Sequence, residues 1–174
     1  MRLRLSVYKG EEETSWEERV ETIAEIKAVM IRVVSMIGPW YQRSVRQGMQ
    51  EMVMNAVEHG VLGIDGSEKR AMKQRGYAYY GKELANRLKG ECEKESEVRI
   101  VVEEHEQAIR VMVRDSGTGF DWKEKERELE REEAITEADC QGRGLQMMKM
   151  SVDQLLFNEQ GNEVTAVLRK DEAS

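Results

Sequence analysis

Apolar and polar positions alternate in several segments of the chain, and this alternation is typical of half-buried β-strands. Residues 2–8 show the pattern first. It returns at residues 97–104 and 108–115, which are predicted to form a hairpin. A second hairpin is predicted near the end of the chain, from residues 153–159 and 163–169. These segments together predict one mostly antiparallel sheet.

A different spacing, with apolar residues every three or four positions, predicts two long helices that cover the sheet. The first is predicted to begin at Trp16, with Thr14 or Ser15 as its cap, and to end before Pro39. The second is predicted for residues 42–59. Its predicted buried stripe consists of Val45, Met49, Met52, Val53 and Ala56.

The remaining segments are more polar. Residues 61–96 contain three glycines inside helical patterns, which predicts one or two short surface helices, and residues 123–133 are charged apart from one leucine. A short helix is predicted for residues 145–150. The order of elements predicts an α+β fold, a two-layer sandwich with helices on one face of the sheet. We expect one domain over residues 1–174, with a helical insertion at about 62–96.

Composition narrows the class of protein. The chain has 174 residues and a net charge of −7, which argues against direct binding to nucleic acid. Cys92 and Cys140 form no CxxC pair, and free thiols fit a reducing compartment. The first residues lack the apolar segment of a signal peptide, and apolar runs are too short to span a bilayer. We therefore expect a cytoplasmic protein without membrane contact.

The second predicted helix carries three polar residues at intervals of four. Glu51, Asn55 and His59 lie beside the apolar stripe on a helical projection. A half-buried carboxylate can act as a general base, and an amide oxygen one turn away can bind Mg²⁺. The alternative is an ordinary solvated face of the helix.

Two glycine-rich stretches add further candidates. In residues 114–120, Asp115 falls at the end of a predicted strand, and Gly117 and Gly119 permit a close approach of a flat ring to the backbone. Asp115 is then placed to accept a hydrogen bond from an exocyclic amine, although Asp before glycine also occurs in ordinary loops. In residues 141–148, glycines open a helix whose amide groups can bind phosphate, with Arg143 adding charge.

In this order and spacing, the three stretches resemble the GHKL, or Bergerat-fold, ATPases. Glu51 and Asn55 are similar to the N box of that superfamily, residues 115–120 to its G1 box and residues 142–145 to its G2 box. The resemblance extends over roughly residues 14–169 and includes the final hairpin. It implies that the protein binds ATP with Mg²⁺, and that residues at about 121–141 form a lid over the phosphates.

Within the superfamily, the NAVEHG segment and the short length most resemble the anti-sigma-factor serine/threonine kinases of bacterial partner-switching systems. The resemblance implies that Glu51 is the catalytic base and Asn55 the Mg²⁺ ligand, while Asp115 binds the adenine amine. The implied nucleotide-binding residues are Asn55, Asp115, Gly117, Gly119, Gly142, Arg143, Gly144, Leu145 and, as a second contact near adenine, Thr165. The implied partners are an anti-anti-sigma (STAS) protein, a sigma factor and a second copy of the chain.

The sequence leaves alternatives open for the function and for the insertion. A non-catalytic ATP-binding switch would retain the same nucleotide site without phosphoryl transfer. A histidine-kinase domain is disfavoured, because His59 and His105 are the only histidines and neither is predicted on a dimerisation helix. The insertion is either a solvated decoration or a docking surface built around Tyr77–Tyr80. His59 has no predicted catalytic role and is expected to pack or hydrogen-bond near the helix end.

Overall fold

The computed structural model describes residues 3–9, 16–20, 22–37, 43–90, 96–132 and 143–170. Within these residues, six strands form one sheet in the order β2-β1-β3-β4-β6-β5, in which only β1 and β3 run parallel. The strands are β1 (Leu3–Lys9), β2 (Trp16–Val20), β3 (Glu97–Glu104), β4 (Ala108–Asp115), β5 (Gln154–Phe157) and β6 (Glu163–Arg169). The predicted mostly antiparallel sheet and both predicted hairpins are confirmed.

Helices cover one face of this sheet and complete the predicted two-layer α+β fold. In the described part of the chain they are α1 (Ile23–Ile37), α2 (Arg43–Asn55), a π-helix (Ala56–Val61), α3 (Gly66–Gln74), α4 (Tyr77–Gly90), α5 (Trp122–Glu132) and α6 (Arg143–Ser151). Among these residues, no helix has the length and apolar content needed to cross a membrane.

The alternation within the strands explains why only one face is covered. On β3 and β4 every second side chain is buried, and the residues between them are more exposed. The buried set on these two strands is Val98, Ile100, Val102, Ile109, Val111 and Val113. Because successive side chains point to opposite faces, a period of two directs one apolar set towards the helices.

The prediction of a helix from Trp16 onward is wrong at its beginning. Trp16–Val20 is a strand that pairs antiparallel with β1, and α1 begins only at Ile23. Thr22 caps α1 in place of Thr14 or Ser15, which lie outside the described residues. The Thr22 hydroxyl accepts from the Glu25 amide at 3.2 Å, and the Glu25 carboxylate accepts from the Thr22 amide at 3.0 Å.

The second long helix is present, and its buried stripe is confirmed at all five predicted positions. Its end differs from the prediction, because the α-helical pattern changes to a π-helix after Asn55. A π-helix is uncommon and occurs frequently at functional sites. The change therefore falls at the residue for which a metal-binding role is predicted.

Two helices form in the insertion, as predicted, but they are more than a solvated decoration. α3 contributes Met72 to the core, and α4 contributes Tyr80, Leu84 and Leu88. Asp65 caps α3 by accepting hydrogen bonds from two backbone amides of its first turn. The hydrogen bond from the Ser67 hydroxyl, together with these two, lowers the pKa of Asp65. The segment predicted as an insertion thus packs into the same core as the sheet.

Candidate functional site

The two predicted N-box side chains lie near the end of α2. Glu51 and Asn55 are half-buried, one helical turn apart. α2 packs closely against α6, since a Cβ at Gly48 would lie 2.9 Å from Cβ of Ser151. The N box therefore lies beside the helix that begins at the predicted G2 box.

The π-helix brings the end of the N box into contact with the G1 box. A Cβ added at Gly60 would lie 2.2 Å from Cγ of Asp115, and one added at Gly117 would lie 2.2 Å from the carbonyl oxygen of Gly60. Neither position has room for a side chain. Gly60 and Gly117 are more than fifty residues apart in the sequence, yet the backbone of both lies against the Asp115 carboxylate.

Asp115 is held in place from two sides. Its Oδ1 accepts a hydrogen bond from the Gly117 amide at 2.8 Å, and its own amide donates to the carbonyl oxygen of Asn162 at 3.0 Å. The buried Asn162 side chain donates to the carbonyl oxygens of Asp115 and Gly117 at 3.3 and 3.4 Å. Asn162 was not predicted as a site residue, although its turn was located, because an Asn next to Gly indicates only a turn.

Burial raises the pKa of the Asp115 carboxyl above its usual range, and the Gly117 amide offsets part of this shift. A raised pKa means that the folded protein binds the proton more tightly than the unfolded chain does. The carboxylate thus lowers the free energy of unfolding as pH rises from about 4 through the folded-state pKa.

Replacement of Asp115 by asparagine should remove this pH dependence. We expect the difference in unfolding free energy, Asp115→Asn minus wild type, to increase between pH 3.5 and pH 7 in the absence of nucleotide. Denaturant titrations at several pH values measure it. A difference that stays constant or falls with pH would contradict the assignment of a burial-raised pKa.

Gly119 lies in the loop that follows β4 and contacts the turn of the final hairpin. Its φ is +79°, and a Cβ there would lie 1.9 Å from the carbonyl oxygen of Gln160. Gly161 has a φ of +77°, and its Cβ would lie 2.1 Å from the carbonyl oxygen of Phe120. The two loops interlock through backbone atoms, so Gly119 supports the position of the loop that carries Asp115.

The beginning of α5 is anchored on the same hairpin. The Trp122 ring stacks on Phe157 at 5.5 Å between centroids, and its Nε1 donates to the carbonyl oxygen of Asn158 at 2.8 Å. Residues 118–123 and the hairpin turn line an open cavity of about 510 Å³. Farther along α5, Glu126 forms an ion pair with Lys149 of α6. Of the predicted lid, residues 133–141 lie outside the described residues.

Thr165 is not brought together with Asp115. On β4, Val111, Val113 and Asp115 share the face that packs against the helices, whereas Thr165 pairs with Met112, which lies on the other face. Directly paired residues of an antiparallel ladder project to the same side. The geometry therefore gives no support to a contact between Thr165 and a base held at Asp115.

Part of the predicted G2 box can be located. Arg143, Gly144 and Leu145 form the first turn of α6, with its unpaired amide groups. Gly142 lies outside the described residues. The side chains of Arg143 and Leu145 are likewise outside the description, so their contact with phosphate stays a prediction.

His59 fulfils the prediction that it hydrogen-bonds near the helix end. Its Nδ1 is hydrogen-bonded to the carbonyl oxygen of Ile64, which closes the loop after the π-helix. The neighbouring Glu58 was not considered from the sequence, yet it is only 1% exposed. Its sequence signal is weak, since a single Glu within a helical pattern usually faces solvent.

Part of the chain that contains Asp115 matches a known protein family. Residues 84–168 match the family described as "Histidine kinase-like ATPase domain". Residues 84–168, just under half of the chain, are therefore similar to a histidine kinase-like ATPase domain. The match begins in α4 and ends in β6, so it includes Asp115, Gly117, Gly119 and the first turn of α6, but not Glu51 or Asn55. No curated protein matches the chain.

Among solved structures, the chain is similar to the catalytic domain of the histidine kinase ThkA in a nucleotide-free form. The two are 13% identical, with a TM-score of 0.42, and the similarity covers 95% of this chain and 75% of that chain.

The residues around Asp115 are compatible with a bound adenine ring. The contact of Gly60 and Gly117 around Asp115 leaves backbone in the place of side chains, as the approach of a flat ring requires. In the described residues, no cluster of three His, Cys, Asp or Glu side chains forms a metal site of its own. Mg²⁺ commonly takes few protein oxygens and completes its shell with phosphates and water, so the Asn55 amide oxygen is compatible with a site of this kind.

Proposed function

We propose that the protein binds Mg·ATP and phosphorylates a serine or threonine of an anti-anti-sigma (STAS) protein, and that it sequesters a sigma factor, as a homodimer, when it is not so engaged. The observation that supports nucleotide binding best is the glycine contact around Asp115, which joins the N box to the G1 box. The kinase assignment is supported by Glu51, one helical turn before Asn55.

Each residue has a chemical role in this proposal. The exocyclic amine of adenine donates to the Asp115 carboxylate, whose lone pairs exceed those used by the Gly117 amide. Asn55 holds Mg²⁺ against the phosphates, and the first turn of α6 offers amide groups to them. Bound Mg²⁺ neutralises charge that develops on the phosphoryl group.

Glu51 accepts the proton of the substrate hydroxyl. The hydroxyl oxygen then forms a bond to the γ-phosphorus, while the bond between that phosphorus and the bridging oxygen breaks and ADP leaves. A carboxylate in this position contributes general-base catalysis. A protein that only bound ATP as a switch would need the adenine and phosphate contacts but would not need Glu51 as a catalytic base.

The positions of the two histidines favour a hydroxyl substrate over autophosphorylation of this segment on histidine. His59 is hydrogen-bonded to the backbone beside the N box, and His105 lies in the turn between β3 and β4, 3.5 Å from a Glu103 oxygen. Neither lies on a helix of the kind that presents a phosphoacceptor.

The experiment that tests this function is incubation of the protein with γ-labelled ATP and the STAS protein encoded nearest to it. We expect label on a serine or threonine of the STAS protein, and less label at subsaturating ATP when the Asp115→Asn variant replaces the wild type. Tight nucleotide binding without any transfer of label would contradict the kinase assignment and favour the non-catalytic switch.

A further inference from the structure

Glu58 is a fully buried acid that the proposed chemistry does not use. Its side chain is 1% exposed, and it lies in the π-helix three residues after Asn55. A buried carboxylate is costly unless charged or polar partners compensate for the lost water. The position therefore needs partners from elsewhere in the fold.

Glu58 has two polar partners, and both lie in the insertion. The Tyr80 hydroxyl of α4 donates to Oε1 of Glu58, and the ammonium group of Lys69 in α3 forms an ion pair with Oε2. Lys69 is itself largely buried, with 17% of its side chain exposed. Each insertion helix thus supplies one polar group to the same carboxylate, while Arg87 and Glu68 join the two helices to each other.

The other side of the π-helix contacts the nucleotide site. Gly60, two residues after Glu58, has its backbone against the Asp115 carboxylate and against Gly117. The backbone around Glu58 is also fixed, since its carbonyl oxygen accepts from the Ile64 amide at 2.8 Å. Glu58 and Gly60 thus lie two residues apart on the same π-helix, which connects the Glu58 side chain to the glycine that borders Asp115.

We propose that Glu58 is a positioning residue through which the insertion helices, by way of Tyr80 and Lys69, set the geometry of the adenine end of the nucleotide site. The insertion then acts as a brace for the π-helix, and the hydrogen bond between Tyr80 and Glu58 keeps Gly60 in contact with the Asp115 carboxylate. The effect on ATP rests on the proposed function, whereas the effect on the backbone near Asp115 does not.

Removal of one hydroxyl tests the brace. We expect Tyr80→Phe to weaken ATP binding about fivefold or more, in the range usual for coupling between sites. Tyr77→Phe is the matched control, because Tyr77 is 79% exposed on the same helix. Lys69→Met and Lys82→Met form a second pair, since Lys82 is exposed. Calorimetric titration with ATP measures all four, and a loss no larger than in the controls would overturn the proposal.

Hydrogen exchange without nucleotide separates this inference from the proposed function. In Tyr80→Phe we expect faster exchange of the Gly117 amide, which donates to Asp115, with the amides of β3 and β4 still protected. A protein that binds no ATP but shows this local change would refute the function and keep the brace. Unchanged exchange at Gly117 relative to Tyr77→Phe would refute the brace.

Discussion

Replacement of Gly60 by alanine is expected to weaken ATP binding by between about tenfold and a hundredfold. The added Cβ would lie 2.2, 2.3 and 2.6 Å from the three carboxylate atoms of Asp115, so the carboxylate must move away. A hydrogen bond to a charged group contributes about 1.5–3 kcal/mol, and each 1.4 kcal/mol is a factor of ten in affinity. Calorimetric titration of the folded variant with ATP gives the loss directly.

Gly81→Ala is the control for this variant. Gly81 lies inside α4, and its Cβ would be 3.9 Å from Cδ1 of Ile23, an ordinary van der Waals distance. Alanine is favoured over glycine inside a helix, so we expect equal or higher stability and unchanged ATP affinity. If Gly60→Ala and Gly81→Ala bound ATP with equal affinity, the adenine ring would not bind at the contact between Gly60 and Asp115.

Replacement of Glu51 by glutamine is expected to lower the rate of phosphoryl transfer to the STAS protein by about 10²- to 10⁴-fold, the usual contribution of a general base. Glutamine keeps the size of the side chain but cannot accept the proton at neutral pH. Binding of ATP should change little, because the proposed contacts of adenine and Mg²⁺ are with Asp115 and Asn55. Single-turnover transfer with saturating ATP separates the chemical step from binding.

Glu106→Gln is the matched control, since Glu106 is exposed in the turn between β3 and β4. We expect that variant to transfer phosphate at the wild-type rate. A Glu51→Gln protein that also keeps the wild-type rate would remove Glu51 from the chemistry, even if ATP binding were intact.

The sheet and its hairpins were predictable because alternation is a local signal. On β3 and β4 the apolar residues recur at every second position, and the two strands are neighbours in sequence. The stripe of α2 was predictable for the same reason. In each case the residues that establish the pattern lie within one element, so the sequence carries the information directly.

β2 was mistaken for helix because two periods coincide there. Trp16 and Val20 are four residues apart, which places them on one side of either a helix or a strand. The structure is decided by pairing with β1, a contact between two strands that the local pattern of five residues does not contain.

The site was predictable only in part. Three motifs in order indicated where polar chemistry concentrates, but they did not show that Gly60 meets Asp115, or that Asn162 supports it. Glu58 and Tyr80 were missed as a pair because their contact joins residues 22 positions apart in two different helices. Burial of a charge depends on tertiary packing, for which a helical pattern alone gives no signal.

The central claim is that Asp115 binds the adenine ring, and ATP titration of Asp115→Asn tests it most directly. Asparagine has a single acceptor oxygen, and if this oxygen keeps the bond to the Gly117 amide, 2.8 Å from Oδ1, the NH₂ group takes the place of Oδ2. Its NH₂ group would then face the adenine amine, donor against donor. We expect a folded variant that binds ATP about tenfold to a hundredfold more weakly than the wild type. A folded Asp115→Asn protein with wild-type affinity for ATP would contradict the account.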